Sequence, residues 1–170
     1  MSHSSLSSYP KLSKKTDKKA ILRFYKDNHY SARFIGFDNC YLIKMGDNII
    51  ASVIISQGNK SQQIDTATEV TSTDIFQDLS QDKPQYLLHA LLVSPDYQKQ
   101  GYAVQLLKHT ITHHQPLICF AHTSLSKLYL ENGFTLIADD LLCKFLNPAL
   151  YNRFQLYLKH KPELKAFIHQ

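Results

Sequence analysis

Residues 98–103 form a short polar loop whose composition suits the binding of a phosphate group. The loop consists of Gln98, Lys99, Gln100, Gly101, Tyr102 and Ala103. Gly101 has no Cβ, so its backbone can take a positive φ and approach a ligand closely, while Lys99 supplies a mobile cation. A loop that leads into a helix also presents main-chain N–H groups without intrahelical partners, at the positive end of the helix dipole.

The elements on either side of this loop are predicted to be a strand and a helix. Residues 87–93 are rich in aliphatic side chains and are followed by turn residues, which indicates a buried strand. From Ala103 onward, apolar residues recur at three- and four-residue spacing, which predicts an amphipathic helix. Because three spaced glycines and a Gly-Lys-Ser/Thr ending are absent, the loop is neither a dinucleotide fingerprint nor a P-loop.

A second segment with helical spacing follows downstream, where Leu125, Leu128 and Tyr129 recur on one helix face. The loop with its flanks reads VSPDYQKQGYA (residues 93–103), and the end of the second segment reads LYLENGF (residues 128–134). In order and spacing, the two sequences resemble the paired motifs of the GNAT N-acetyltransferase superfamily. The resemblance covers residues 86–134.

This resemblance implies a fold of the α/β (α+β) class, with a mixed, mostly antiparallel central sheet flanked by helices and, here, an extra C-terminal helix. The strand at residues 87–93 then diverges from the strand at residues 116–121, and the pantetheine arm of coenzyme A enters the gap. Its amides pair with exposed strand backbone, as a peptide adds to a strand edge. The strand residues implied are Leu91, Leu92 and Val93.

The resemblance also implies an acyl-CoA-dependent N-acyltransferase that moves an acetyl group from acetyl-CoA directly to a primary amine of a small molecule or peptide. The sequence contains no motif for a covalent nucleophile. A second class stays open, namely a weak or inactive acyl-CoA-binding module with a regulatory or interaction role. It stays open because the methyl group of Ala103 is less permissive than hydrogen, and because residues 86–93 lack the glutamate that many family members carry.

The resemblance places a catalytic acid at Tyr129. This residue matches the family tyrosine that protonates the sulfur of coenzyme A, and an unperturbed phenol is protonated at neutral pH. The alternative is a half-buried core aromatic at helical spacing.

The general base is less well defined. His89 is predicted to share a strand face with Leu87, Leu91 and Val93, the face on which bases of the family lie, and its unperturbed pKa suits proton transfer near neutrality. The alternatives are a structural histidine with direct reaction of a neutral amine, or relay through water. Glu69 and Asp74 are weaker candidates.

His122 stands where the family often has an asparagine at the end of the strand that borders the gap. It is a candidate for binding pantetheine or the acceptor, and equally for simply ending the strand. Among the other histidines, His109 and His113 are four residues apart but have no evident third ligand, so we predict no metal site and expect exposed histidines at residues 109, 113 and 114.

The remaining sequence predicts one domain with a tail and an extension. We expect residues 1–14 to be a disordered, Ser-rich and basic tail, residues 15–147 to be the acyl-CoA-binding domain, and residues 148–170 to be a helical extension on the same domain. Hairpins are predicted at residues 40–56 and 134–146, the latter with strands at 134–138 and 141–146. Residues 57–85 read as a long polar loop that could border the acceptor site.

The distribution of charge and the cysteine content bear on the binding partners of the protein and on the state of its thiols. Six basic residues among the first 23 could contact nucleic acid, but no nucleic-acid motif accompanies them, which favours a solvated surface. We expect no membrane association and a cytoplasmic location, since neither a bilayer-spanning stretch nor a secretory signal is present. The C-terminal helices could support a homodimer. Cys40, Cys119 and Cys143 are expected to be buried, reduced thiols on strands.

Overall fold

The structure is a computed structural model that describes residues 9–32, 38–58 and 84–170. These residues form a seven-stranded mixed sheet with helices on both faces. The strands are β1 (Lys11–Leu12), β2 (Asn39–Met45), β3 (Asn48–Gln57), β4 (Tyr86–Val93), β5 (Leu117–His122), β6 (Thr135–Leu136) and β7 (Leu164–His169). The α-helices are α1 (Lys18–Asp27), α2 (Tyr102–His113), α3 (Ser126–Glu131), α4 (Leu142–Phe145) and α5 (Pro148–Leu158). None of the described helices is long and apolar enough to span a bilayer.

The strand order is β1-β2-β3-β4-β5-β7-β6, and every neighbouring pair is antiparallel except β4 and β5. Helix α2 connects β4 to β5, which is the crossover that a parallel pair requires. The prediction of a mixed, mostly antiparallel sheet flanked by helices is therefore confirmed, as are the strand–loop–helix order around residue 101 and the hairpin at residues 40–56.

Strands β4 and β5 pair only over a short distance and then separate. Their ladder runs from Tyr86 opposite Leu117 to Leu88 opposite Cys119. Beyond these pairs β4 continues to Val93 and β5 to His122 without facing each other in the ladder. The divergence that the family resemblance implied is present, and it opens a gap in the middle of the sheet.

A β-bulge lies in β4 at the edge of this gap. In the ladder with β3, Ser52 faces Leu92 and Ile54 faces His89, so that the single residue between them faces two residues of β4, Ala90 and Leu91. Ala90 has a φ of 54°, a left-handed conformation that an alanine seldom adopts. The bulge reverses the alternation of side chains along the strand.

A buried hydrogen-bond chain holds the bulge in place. The phenol of Tyr25, on α1, donates to the carbonyl oxygen of Ala90 at 2.7 Å. Because a carbonyl can only accept and a phenol has one proton, Ser52 Oγ must donate to Tyr25, at 2.9 Å, and the thiol of Cys40 must donate to Ser52, at 3.3 Å. Burial raises the pKa of the Cys40 thiol to about 11, so the chain keeps its protons at neutral pH.

The two faces of the sheet carry different helices. Leu88 of β4 packs with Leu106 and Leu107 of α2 and with Tyr129 of α3 on one face. The opposite face packs against α1 through one cluster of buried residues and against α5 through another. The gap between β4 and β5 therefore separates an α2–α3 side from an α1–α5 side.

Two predicted elements near the C-terminus are wrong. Residues 142–145 form helix α4 rather than a strand, and Cys143 on it is exposed rather than buried. Residues 164–169, which were predicted to belong to the helical extension at 148–170, form strand β7. Strand β7 lies between β5 and β6, where both of its faces are covered, so its apolar residues show no period of two and their spacing resembled that of a helix.

The prediction that residues 1–14 are disordered is wrong at residues 11 and 12, since Lys11 and Leu12 pair with β2 at the edge of the sheet. Both side chains are exposed, and the N–H group of Ser13 donates to the carbonyl of Cys40 at 2.8 Å. Backbone pairing without buried side chains explains why composition alone did not indicate this strand.

Candidate functional site

The loop at residues 98–103 forms an open turn at the start of α2. Gly101 is the N-cap, with a φ of 87°, and Lys99 has a φ of 60°. The N–H group of Gln105 donates to the carbonyl of Gly101 at 3.0 Å. As a glycine, the cap residue has no side chain that could bond to the start of the helix. The preceding N–H groups of the first turn therefore have no intrahelical partner. A Cβ at Gly101 would meet no heavy atom within 4 Å, so the turn faces open space.

Two glutamine side chains fold back onto the segment that precedes the helix. Gln98 donates through its side-chain amide to the carbonyl of Val93, and Gln100 donates to the carbonyl of Asp96, both at 3.2 Å. These bonds stabilise the loop without occupying its exposed N–H groups. Tyr102 and Ala103 are half-buried at the start of the helix, and Tyr102 packs edge-on against Tyr97.

A cavity of about 1060 Å³ occupies the gap between β4 and β5. Its walls come from β3, β4 and β5, from α3 and α5, and from the segments that follow α1 and precede β2 and β7. Leu91 lines the cavity, whereas Leu92 and Val93 lie farther along β4, towards the loop that precedes α2. Strand β4 thus runs from the cavity towards the loop that opens α2.

Tyr129 lies on α3 with its side chain 3% exposed, and it lines the cavity. Its ring stacks on Phe167 with ring centroids 5.3 Å apart and packs edge-on against Phe134. Its phenol lies close to the thiol of Cys119, and burial raises the pKa of Tyr129 above the ordinary tyrosine value. Tyr129 is therefore a core aromatic that also presents a protonated phenol at the gap.

Cys119 lies on β5 beside this phenol. Burial raises the pKa of its thiol to about 12, so it is not a thiolate near neutrality and is unsuited to nucleophilic attack.

His89 lies on the other side of the sheet from Tyr129. Contrary to the prediction, it does not share a face with Leu91 and Val93, because the bulge at Ala90 moves those two residues to the α2–α3 side. His89 lines the cavity, and its Nε2 lies 2.7 Å from Ser56 Oγ. Burial lowers its pKa to about 4, with Asp38 opposing the shift and Arg153 adding to it. The imidazole is therefore neutral at pH 7.

His122 ends β5 at the rim of the cavity and has a partner on each ring nitrogen. Its Nδ1 accepts from the N–H group of Ser124 at 3.2 Å, which leaves the proton on Nε2 to be donated to Glu163. This arrangement favours the interpretation that His122 ends the strand over the interpretation that it binds pantetheine.

The other predicted candidates are away from the cavity. His109 and His113 stack near Tyr41, and His114 is buried and bonded to the Tyr41 phenol at 2.9 Å, so its predicted exposure is wrong. Within residues 9–32, 38–58 and 84–170, no group of three potential ligands could hold a metal ion. Glu69, Asp74 and most of the long polar loop lie outside the described residues.

The structure adds cavity residues that sequence reasoning missed. Ser56 comes from β3, and Arg153 and Tyr157 come from α5, four residues apart on one helix face. No local motif marks them, because their approach to the gap depends on how α5 packs against β5. Phe120 and Phe154 make that contact, with ring centroids 4.9 Å apart.

Comparison with known proteins gives one family match. The model of the acetyltransferase (GNAT) family matches residues 6–134. No curated protein sequence matches the chain.

Solved structures share the fold at low sequence identity. Naa50 from Arabidopsis thaliana, in complex with the bisubstrate analogue CoA-Ac-MVNAL, has a TM-score of 0.58 at 10% identity, with 97% of this chain and 99% of that chain covered. Escherichia coli ElaA has a TM-score of 0.55 at 14% identity, with 96% of this chain and 99% of that chain covered.

N-acetylglutamate synthase from Neisseria gonorrhoeae, complexed with coenzyme A and N-acetyl-glutamate, has a TM-score of 0.56 at 12% identity. The match covers 96% of this chain but only 35% of the synthase chain, so the chain spans about a third of that protein's length.

The low pKa of His89 predicts a specific dependence of stability on pH. Between about 4 and the ordinary value of 6.5, the unfolded chain binds a proton at this residue that the folded chain does not. The free energy of unfolding should therefore fall as pH is lowered through this window, and His89→Gln should make that fall shallower. Urea unfolding at a series of pH values measures the effect, with the exposed His160→Gln as the matched control. Equal slopes for His89→Gln and the parent protein would contradict the burial of a neutral imidazole.

Proposed function

Since the chain belongs to the acetyltransferase (GNAT) family, we propose that it transfers an acetyl group from acetyl-CoA to a primary amine by direct attack, without a covalent enzyme intermediate. The observation that carries the proposal is the juxtaposition, along β4, of an open helix N-terminus with a gap in the sheet. A buried, protonated phenol borders that gap. The helix N-terminus suits the phosphate groups of acetyl-CoA, the gap suits its pantetheine arm, and the phenol suits an acid beside the thioester.

The residues present fit coenzyme A. The exposed N–H groups that follow Gly101 and the charge of Lys99 suit the diphosphate. Beyond Leu88, the backbone of β4 borders the gap without a β5 partner in the ladder, which suits the amide groups of the pantetheine arm. Acetyl-CoA bound this way would bring its thioester to the cavity that Leu91 and Tyr129 line. Structural neighbours in complex with coenzyme A or with a coenzyme A bisubstrate analogue support this assignment.

Tyr129 is proposed as the acid that protonates the departing sulfur. Its phenol lies at the gap beside the thiol of Cys119, a weak hydrogen-bonding partner that a thiolate can displace. Burial keeps the phenol protonated at neutral pH, so a proton is available when the C–S bond breaks.

His89 is proposed to orient the amine and to accept its proton. With a pKa of about 4 it is too weak a base to deprotonate a free ammonium ion, so the acceptor enters as the neutral amine. Formation of the N–C bond makes the attacking nitrogen strongly acidic, and a weak base then suffices. In balance, the N–C bond forms, the C–S bond breaks, His89 takes one proton from nitrogen and Tyr129 gives one to sulfur.

Gly101→Glu tests the binding of coenzyme A. A carboxylate at this position would occupy the space expected for the diphosphate and repel it, so the affinity should fall at least about tenfold, or about 1.4 kcal/mol. Isothermal calorimetry with coenzyme A measures this change. Gly46→Glu is the matched control, since Gly46 also has a positive φ and open space around a Cβ, and it reports the cost of backbone strain alone. Unchanged affinity in a folded Gly101→Glu protein would refute the assignment.

Tyr129→Phe tests the acid. The variant keeps the stacked ring but loses the proton, so kcat for thiol release from acetyl-CoA should fall about 10²-fold, with little change in the affinity for coenzyme A. Tyr41→Phe, which removes a phenol bonded to His114, is the control. An unaltered kcat under conditions where chemistry limits the rate would remove Tyr129 from the mechanism. Coenzyme A binding without thiol release for any amine would indicate a binding module instead.

A further inference from the structure

Arg153 is a half-buried cation that lines the cavity. It lies on α5, in the segment between β6 and β7, one position before the buried Phe154. Its guanidinium makes no hydrogen bond or ion pair with any side chain or backbone group in the part of the chain that the structure describes.

A guanidinium in this position favours an anionic partner. Partial burial removes some of its hydration, and an unpaired charge in such a place is costly. Its planar fork of N–H donors matches the two oxygens of a carboxylate in a bidentate bond. Lys161 also lines the cavity and adds a second positive charge.

The position of Arg153 separates it from the proposed coenzyme A site. Helix α5 packs on the sheet face opposite α2, whereas the phosphate-binding turn begins α2. Arg153 is electrostatically coupled to His89, the residue proposed to receive the amine proton. The cation therefore lies on the side from which the acceptor amine must approach.

We propose that the acceptor is a small primary amine that also carries a carboxylate, such as an amino acid, and that Arg153 binds the carboxylate while the amine lies at His89. The inference rests on the proposed acetyl transfer and names its substrate class. The products are then an N-acetylated amino acid and free coenzyme A, with the bonds and protons balanced as above.

The experiment compares a panel of amino acids with their carboxamides, which keep the amine and lose the charge of the carboxylate. Thiol release from acetyl-CoA gives kcat/KM for each compound with the parent protein, Arg153→Gln and the control Arg23→Gln, whose arginine is a surface residue of α1. The acid-to-carboxamide ratio is compared between proteins, which cancels the difference in basicity between the two kinds of amine.

We expect Arg153→Gln to lower the acid-to-carboxamide ratio at least about tenfold, mainly through a higher KM for the acid, and Arg23→Gln to leave the ratio unchanged. Calorimetry should show coenzyme A binding to Arg153→Gln with parental affinity, because the arginine lies on the other face of the sheet.

Three results would overturn the proposal in distinguishable ways. An unchanged ratio in Arg153→Gln refutes the substrate class while the transferase assignment stands. A second such result is faster acetylation of a peptide amine than of any amino acid, at equal rates in the parent protein and in Arg153→Gln. It also refutes the substrate class, and it points to a peptide acceptor. Absence of thiol release with every amine refutes the transferase assignment, and the substrate class with it.

Discussion

The site depends on one constraint, namely that β4 and β5 stop pairing after three residue pairs. Unpaired strand backbone is costly unless something else satisfies it, so a gap of this kind persists only where the surrounding structure holds it open. The bulge at Ala90 and the phenol of Tyr25 contribute to this. A left-handed alanine is strained by about 1–2 kcal/mol, and the 2.7 Å bond from a buried phenol to its carbonyl offsets part of that cost. Helix α1 thus influences the shape of a site to which it contributes no reacting group.

The same gap divides the proposed reaction between two faces of the sheet. The turn at Gly101 and Tyr129 belong to the α2–α3 side, and His89 and Arg153 belong to the α1–α5 side. In the proposed mechanism the acid and the proton acceptor reach one thioester from opposite sides, so each group serves a single step. Burial gives both groups the protonation state that the proposed mechanism requires, because it keeps the phenol of Tyr129 protonated and the imidazole of His89 neutral.

Part of the fold and of the candidate site could be predicted from local sequence motifs. The turn at Gly101 and the helix that carries Tyr129 each lie in a short stretch of chain, so the types and spacing of their residues indicated them, and the family resemblance singled out Tyr129. The sequence did not reveal on which face of β4 His89 lies relative to Leu91 and Val93. A one-residue bulge reverses the alternation of side chains along β4, and this bulge depends on contacts with β3 and α1. Strand β7 resembled a helix because it is covered on both faces. Arg153 was missed for a third reason, since only the packing of α5 against β5 brings it to the cavity.

The central claim is that the unpaired edge of β4 receives the arm of coenzyme A. Amide hydrogen exchange with and without saturating coenzyme A tests it most directly, because each backbone group reports for itself. The account predicts slower exchange upon binding at residues 91–93 and at the turn of residues 101–104, with no change in the β2 segment of residues 40–44. Protection at the turn without any at residues 91–93, or protection at neither, would contradict it.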